Sequence, residues 1–153
     1  MSEDVSASAV VRPYFRRDQK DGVSPPDLSK DCSYADHIVH ARGKRTKFTS
    51  LTLDLTKCRD FGECTYRLLR EPAEADKHKI VEHEHLLTEL QQTASRGEKE
   101  ERLKAIHALR YARMRKEGLV DWQFDISRVE RKEVISWARR QIQKYYVGTQ
   151  GAH

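Results

Sequence analysis

What this sequence of 153 residues lacks narrows its class first. No apolar run approaches the ~20 residues of a membrane span. The opening MSEDVSASAVV carries two acids and has neither the basic start nor the apolar stretch of a signal peptide. Membrane, secreted and fibrous classes drop out, and a soluble cytoplasmic protein is the expectation. Cysteine is scarce: Cys32, Cys58 and Cys64 are an odd number without CxxC spacing. They support neither a disulfide framework nor a zinc ribbon, and read as buried free thiols. GxxxxGK[ST], GxGxxG and GxSxG are all missing, so a P-loop, a Rossmann dinucleotide site and an α/β-hydrolase have no support. Hydrophobic residues are only 37%, which implies a small core or one helped by a partner.

What the chain has is charge. Lys and Arg number 29 against 24 Asp and Glu, for a net charge of +5, and 35% of residues are charged. The basic surplus is densest at RGKRTK (42–47), RYARMRK (110–116) and RVERK (128–132). Such a balance attracts any anion, from nucleic acid to a dinucleotide pyrophosphate.

Residues 1–10 read as a flexible arm and 148–153 as a tail, leaving 11–147 as a single α+β domain. VVRPYFRRD is β-prone, with Pro13 restricting it to an edge or bulge. Ser33 caps a helix over 34–42 that Gly43 ends. KFTSLTLDLT alternates with period two, Thr49, Leu51, Leu53 and Leu55 on one face and Phe48, Ser50, Thr52 and Asp54 on the other, which predicts a strand. A short helix follows around Lys57–Phe61, and ECTYRLLR is ambiguous between strand and helix. Pro72 opens a helix to about Ser95, and a second runs from Glu98 to Glu117 with Gly118 ending it. Together they form a hairpin over 72–117. LVDWQFDI alternates again as a second strand. Ser127 with Glu130 has capping-box spacing and opens a last helix to Tyr146.

The order of these features, above all DHIVHARGKRTKFTSLTLDLTKCRDFG, resembles the bacterial mono-ADP-ribosyltransferases. In that family an Arg ends the first strand, a later strand carries Ser-Thr-Ser after an aromatic, and a last strand carries Glu-x-Glu or Gln-x-Glu. The likeness spans roughly residues 10–62 and 118–138. It implies an α+β, ADP-ribosyltransferase-like split β-sandwich, here with the 72–117 helical hairpin as an insertion. NAD would be the substrate, gripped at its phosphates by Arg16, or by Arg12 or Arg17 in a shifted register. Ser50 and Thr52 would brace the nicotinamide ribose, Phe48 would stack near the nicotinamide, and His40 would hydrogen-bond the ligand. The acceptor of ADP-ribose would be a protein or nucleic acid, with a neutralising partner protein in the case of a toxin or effector.

At the last motif Asp121-Trp122-Gln123 stands where the family has Glu-x-Glu. Gln123 then occupies the catalytic glutamate's place, and a neutral amide gives little stabilisation to a developing oxocarbenium ion. Three accounts are open: an inactive relative, an engineered substitution, or a register in which Asp121 or Asp125 acts. A different class also fits the charge, a non-enzymatic basic helical module binding nucleic acid or a protein scaffold. No metal site is expected. His78, Glu82 and His85 share a helix face at i, i+4 and i+7 without HExxH spacing, and His37, His40 and Cys32 make only a partial set.

Overall fold

The period-two alternation around Ser50 is the axis of the fold. A computed structural model of the chain describes residues 13–40, 45–57, 62–75, 78–122 and 131–144. It is mixed α+β, with a six-stranded antiparallel sheet in the order β4-β5-β2-β1-β3-β6. The strands are β1 (Phe15–Asp18), β2 (Phe48–Thr52), β3 (Cys64–Leu68), β4 (Lys79–Val81), β5 (Glu117–Asp121) and β6 (Ile142–Lys144). The helices are α1 (Tyr34–His40), α2 (Arg70–Ala75), α3 (His83–Arg96), α4 (Lys99–Arg115) and α5 (Arg131–Gln141), with a 3-10 turn at Leu55–Lys57. Among the described residues no helix is long and apolar enough to cross a membrane.

Directly opposed residues of an antiparallel pair share a face. β2 and β5 oppose Phe48 to Asp121, Ser50 to Leu119 and Thr52 to Glu117 on one side, and Thr49 to Val120 and Leu51 to Gly118 on the other. Leu51, Val120 and Trp122 join Tyr14, Tyr66, Leu68, Ala73 of α2 and Ala138 of α5 in one core. Phe48 and Leu119 join Ala35 and Ile38 of α1, Leu86 and Leu90 of α3, and Ala108, Leu109 and Ala112 of α4 in the other. The alanines at one-turn spacing on α4 let α1 and α3 pack closely against it.

β1 pairs with β3 along its whole length but meets β2 only at Phe15↔Thr52. Beyond that pair the two halves of the sheet, β4-β5-β2 and β1-β3-β6, diverge.

Several expected elements are corrected. The helix from Pro72 to Ser95 is instead α2, β4 and α3. Lys79, Ile80 and Val81 pair with Asp121, Val120 and Leu119, so the open edge of β5 and two β-branched side chains override a helical pattern. The 72–117 segment is therefore not a simple hairpin. The last expected helix is described over Arg131–Gln141, its capping residues Ser127 and Glu130 lying outside the described residues, and it stops short of Tyr146 because Ile142 turns into β6 against Leu68. ECTYRLLR resolves as β3. The Ser33 cap forms, Ser33 Oγ accepting the Asp36 N–H at 3.1 Å. Residues 1–12, 58–61 and 145–153, which hold the expected arm and tail, Arg12 and Cys58, lie outside the described residues, as do Gly43, Gln123 and Asp125.

α4 does not run to Gly118. Lys116 takes a left-handed conformation (φ 47°, ψ 55°) and its N–H bonds back to Ala112 O and Arg113 O, so the helix ends at Arg115, before the expected Glu117, and Glu117 starts the strand. Gly118 lies inside β5 because Tyr14 covers it: a Cβ there would sit 2.6 Å from Tyr14 Cε1 and 2.8 Å from Cζ. The Tyr14 hydroxyl is itself fixed, donating to Glu82 Oε1 at 3.1 Å and accepting the His83 N–H at 2.7 Å. Gly118→Ala should cost about 1–3 kcal/mol by overpacking. Chemical and thermal unfolding should show a lower midpoint, and an unchanged one would contradict this packing.

Candidate active site

The divergence of β1 from β2 opens a cleft of about 750 Å3, within the ~300–1,000 Å3 of small-molecule sites. Arg16 reaches across it. Its Nη1 donates to Ser50 O at 2.8 Å, satisfying a carbonyl on the side where the ladder has ended, and its Nε pairs with Asp18 Oδ2 at 2.7 Å. Asp18 is held in turn by Ser24 N–H, Ser24 Oγ and Gln19 N–H. Burial alone would raise its pKa. Arg16 and these donors outweigh it, keeping the carboxyl below its usual range. The guanidinium is thereby aimed while a quarter of the side chain stays exposed. Arg17 lines the same cleft but is tied to β3, donating to Thr65 Oγ1 at 3.0 Å and Gly62 O at 2.6 Å.

The floor of the cleft holds a carboxylate that the sequence reading missed. Glu117 is 3% exposed, on the same face as Thr52 and within reach of Ser50. Ser50 Oγ donates to Glu117 Oε2 at 2.6 Å, and Glu117 Oε1 is buried without a hydrogen-bond partner among the described residues. Burial pushes its pKa up, opposed by Ser50 and by the charges of Arg115 and Arg16.

Behind Ser50 the bonds continue. Ser50 Oγ lies 2.7 Å from His37 Nε2, His37 Nδ1 lies 2.7 Å from Thr46 Oγ1, and Thr46 Oγ1 accepts the Phe48 N–H at 3.1 Å. When Glu117 is ionised and takes the Ser50 proton, Nε2 carries the imidazole proton and Nδ1 accepts from Thr46. The imidazole is kept neutral, its pKa lowered to about 4 by burial and then by Arg16. Every donor along this chain points toward Glu117.

The other expected residues fall differently. Thr52 is buried with its Oγ1 2.5 Å from Arg115 O and accepting Asp54 N–H at 2.9 Å, so its hydroxyl fastens the α4–β5 junction. Phe48 packs in the core against Tyr34 (5.2 Å between centroids) and His37 (5.5 Å). His40 closes α1, and its side chain lies outside the described residues. His37, one turn earlier, makes the contact to the strand. Asp121, four residues along β5 and so about 13 Å further on, lines a neighbouring cavity of about 380 Å3 with Lys47 and Glu89. Thus Arg16, Ser50 and Thr52 are brought together, with Glu117 and His37 added, and Asp121 is not among them.

His78, Glu82 and His85 do not share a helix. His78 is buried between Trp122 and Trp137, Glu82 pairs with Arg70, and His85 faces Glu89. Among the described residues no cluster of three or more His, Cys, Asp or Glu is placed to hold a metal ion. Comparison of the chain with family models, with curated proteins and with solved structures finds no match.

Glu117 and His37 give opposite pH signatures. Glu117 has its folded pKa above the ordinary 4.5, so its contribution is fully present below that pH and is lost as pH rises through the folded value. Glu117→Gln removes this loss. Scanning calorimetry should find the variant's midpoint gain over wild type small near pH 4 and larger at pH 7, and a gain independent of pH would contradict the assignment. His37 is depressed from 6.5 to about 4, so its contribution is present above about 6.5 and is lost as pH falls toward 4. NMR titration of the imidazole should find it neutral at pH 5, and an ordinary value near 6.5 would contradict the burial.

Proposed function

We propose that the cleft binds NAD and transfers ADP-ribose from it to a macromolecular acceptor, with Glu117 rather than Gln123 as the glutamate of the reaction. The observation that carries the reading is the constellation on three neighbouring strands. Arg16 of β1 reaches Ser50 of β2 at 2.8 Å, and Ser50 holds Glu117 of β5 at 2.6 Å, all lining one cleft. These are the residue types, in the chain order Arg, Ser, Glu, that the resemblance requires. A sheet nearly parted between β2 and β1 also suits the split sandwich that the resemblance implies.

In this reading Arg16 presents its guanidinium fork to the pyrophosphate. Ser50 fixes one oxygen of Glu117, leaving Oε1 for the 2′-hydroxyl of the nicotinamide ribose. As the C1′–N bond breaks, its electron pair leaves with nicotinamide. Positive charge then grows on the ribose, where an ionised carboxylate in a water-poor site stabilises it. The neutral His37 supports this without adding a competing charge, because its Nε2–H turns the Ser50 proton toward Glu117. The acceptor nucleophile bonds to C1′ and gives up its proton.

NAD at ~100 times its dissociation constant should add roughly 2.7 kcal/mol and raise the unfolding midpoint by several degrees, an effect that Arg16→Ala should remove. Glu117→Gln should keep the shift but lower nicotinamide release by about 10²–10³-fold. Gln123→Glu should bring no such change. Undiminished release from Glu117→Gln, or a large gain from Gln123→Glu, would overturn the assignment of Glu117.

A further inference from the structure

A dinucleotide brings one pyrophosphate, yet five arginines line this cleft, Arg16, Arg17, Arg45, Arg115 and Arg139, against the acids Asp18, Asp21 and Glu117. Asp18 is already paired with Arg16, and Arg17 is engaged with β3. Three more arginines line the cleft from separate elements: Arg45 ahead of β2, Arg115 at the end of α4, itself held against Tyr111, and Arg139 on α5 beside the Gly22 turn. Arg45 and Arg139 are exposed, and the charge of Arg45 already reaches Asp27, whose carboxyl it helps hold below the usual range. A ring of cations drawn from three elements is not the solvated face of a single helix.

The second feature is aromatic. Tyr111, one turn before Arg115, lines the same cleft while 37% exposed, and the Arg115 guanidinium lies 5.1 Å from its ring centroid. An exposed ring backed by a guanidinium is a stacking platform for a base, and arginines spaced around it suit a chain of phosphates. An acidic peptide would satisfy the arginines but leave the ring without a flat partner. A duplex keeps its bases stacked and out of reach.

We propose that single-stranded nucleic acid is the acceptor, its phosphates held by Arg45, Arg115 and Arg139 and one base stacked on Tyr111 beside Glu117. The inference rests on the NAD reading above. A hydroxyl or amine of the strand forms a bond to ribose C1′. The C1′–N bond to nicotinamide breaks with its electron pair, and the nucleophile's proton passes to Glu117 and on to solvent.

The test is fluorescence anisotropy with a labelled oligothymidylate of ~12 nucleotides, a length within the ~4–16 that single-strand sites span. Binding at low salt should weaken as salt rises, with a log–log slope of about −2 for three phosphate contacts. Arg45→Glu/Arg139→Glu should weaken it at least tenfold, with Arg45→Gln/Arg139→Gln showing a smaller loss of the same sign if the reversal disturbs the fold. Tyr111→Ala should weaken it about 5- to 150-fold, the range for one stacked base.

No binding at low salt, equal affinity for polyglutamate, equal affinity for the duplex, or indifference to all three variants would each overturn the proposal. The NAD-induced thermal shift, read on the same samples, separates the two failures. A chain that NAD stabilises but that ignores the oligonucleotide overturns the acceptor alone. One that binds the strand but shows no NAD shift overturns the NAD reading on which the acceptor role rests.

Discussion

The cleft depends on keeping one carboxylate out of water. Burying an ionised carboxyl without partners is among the costliest things a fold can do. Glu117 is nonetheless enclosed, with a single hydroxyl on one oxygen and none of the described groups on the other. The surroundings are arranged to tolerate this. Ser50 donates, Arg16 and Arg115 supply positive potential, and a neutral His37 orients the donor. A site that is only half satisfied is poor engineering for stability and suitable engineering for a ligand that supplies the missing hydrogen bond.

The second constraint is where the sheet parts. β1 and β2 meet at one residue pair, and beyond it the backbone groups of β2 need other partners. Ser50 O finds one in Arg16, a side chain in place of a strand. The same side chain thereby closes a gap in the ladder, neutralises Asp18 and exposes a cation at the cleft. Structure and site are coupled through it, so an Arg16 variant reports on both. The Glu117→Gln variant is the cleaner probe of chemistry, since it keeps the shape and the Ser50 hydrogen bond.

Part of this was legible in the residues. The alternation of KFTSLT gave the central strand and its two faces, and the Ser33 cap and the short α1 helix followed from local chemistry. Arg16 and Ser50 were singled out by residue type and position, and the fold brings them into contact in one cleft. Glu117 was not, and the reason is local. Gly118 offered itself as the helix terminator, whereas the turn is made by Lys116 in a left-handed conformation, and Gly118 is required by the Tyr14 ring. That shift of two residues turns Glu117 from the last residue of a helix into the first of a strand. β4 and β6 were hidden for another reason: three-residue strands carry no periodicity, and only their pairing with β5 and β3 reveals them. His37 was eclipsed by His40, although its position one turn nearer the cap puts it over Thr46 and Ser50.

The most direct measurement of the central claim is a crystal structure of the chain with NAD bound. The nicotinamide ribose 2′-hydroxyl should lie within hydrogen-bonding distance of Glu117 Oε1, and the pyrophosphate should rest on the Arg16 guanidinium. NAD seated in the cavity beside Asp121, or anywhere that leaves Glu117 untouched, would contradict it.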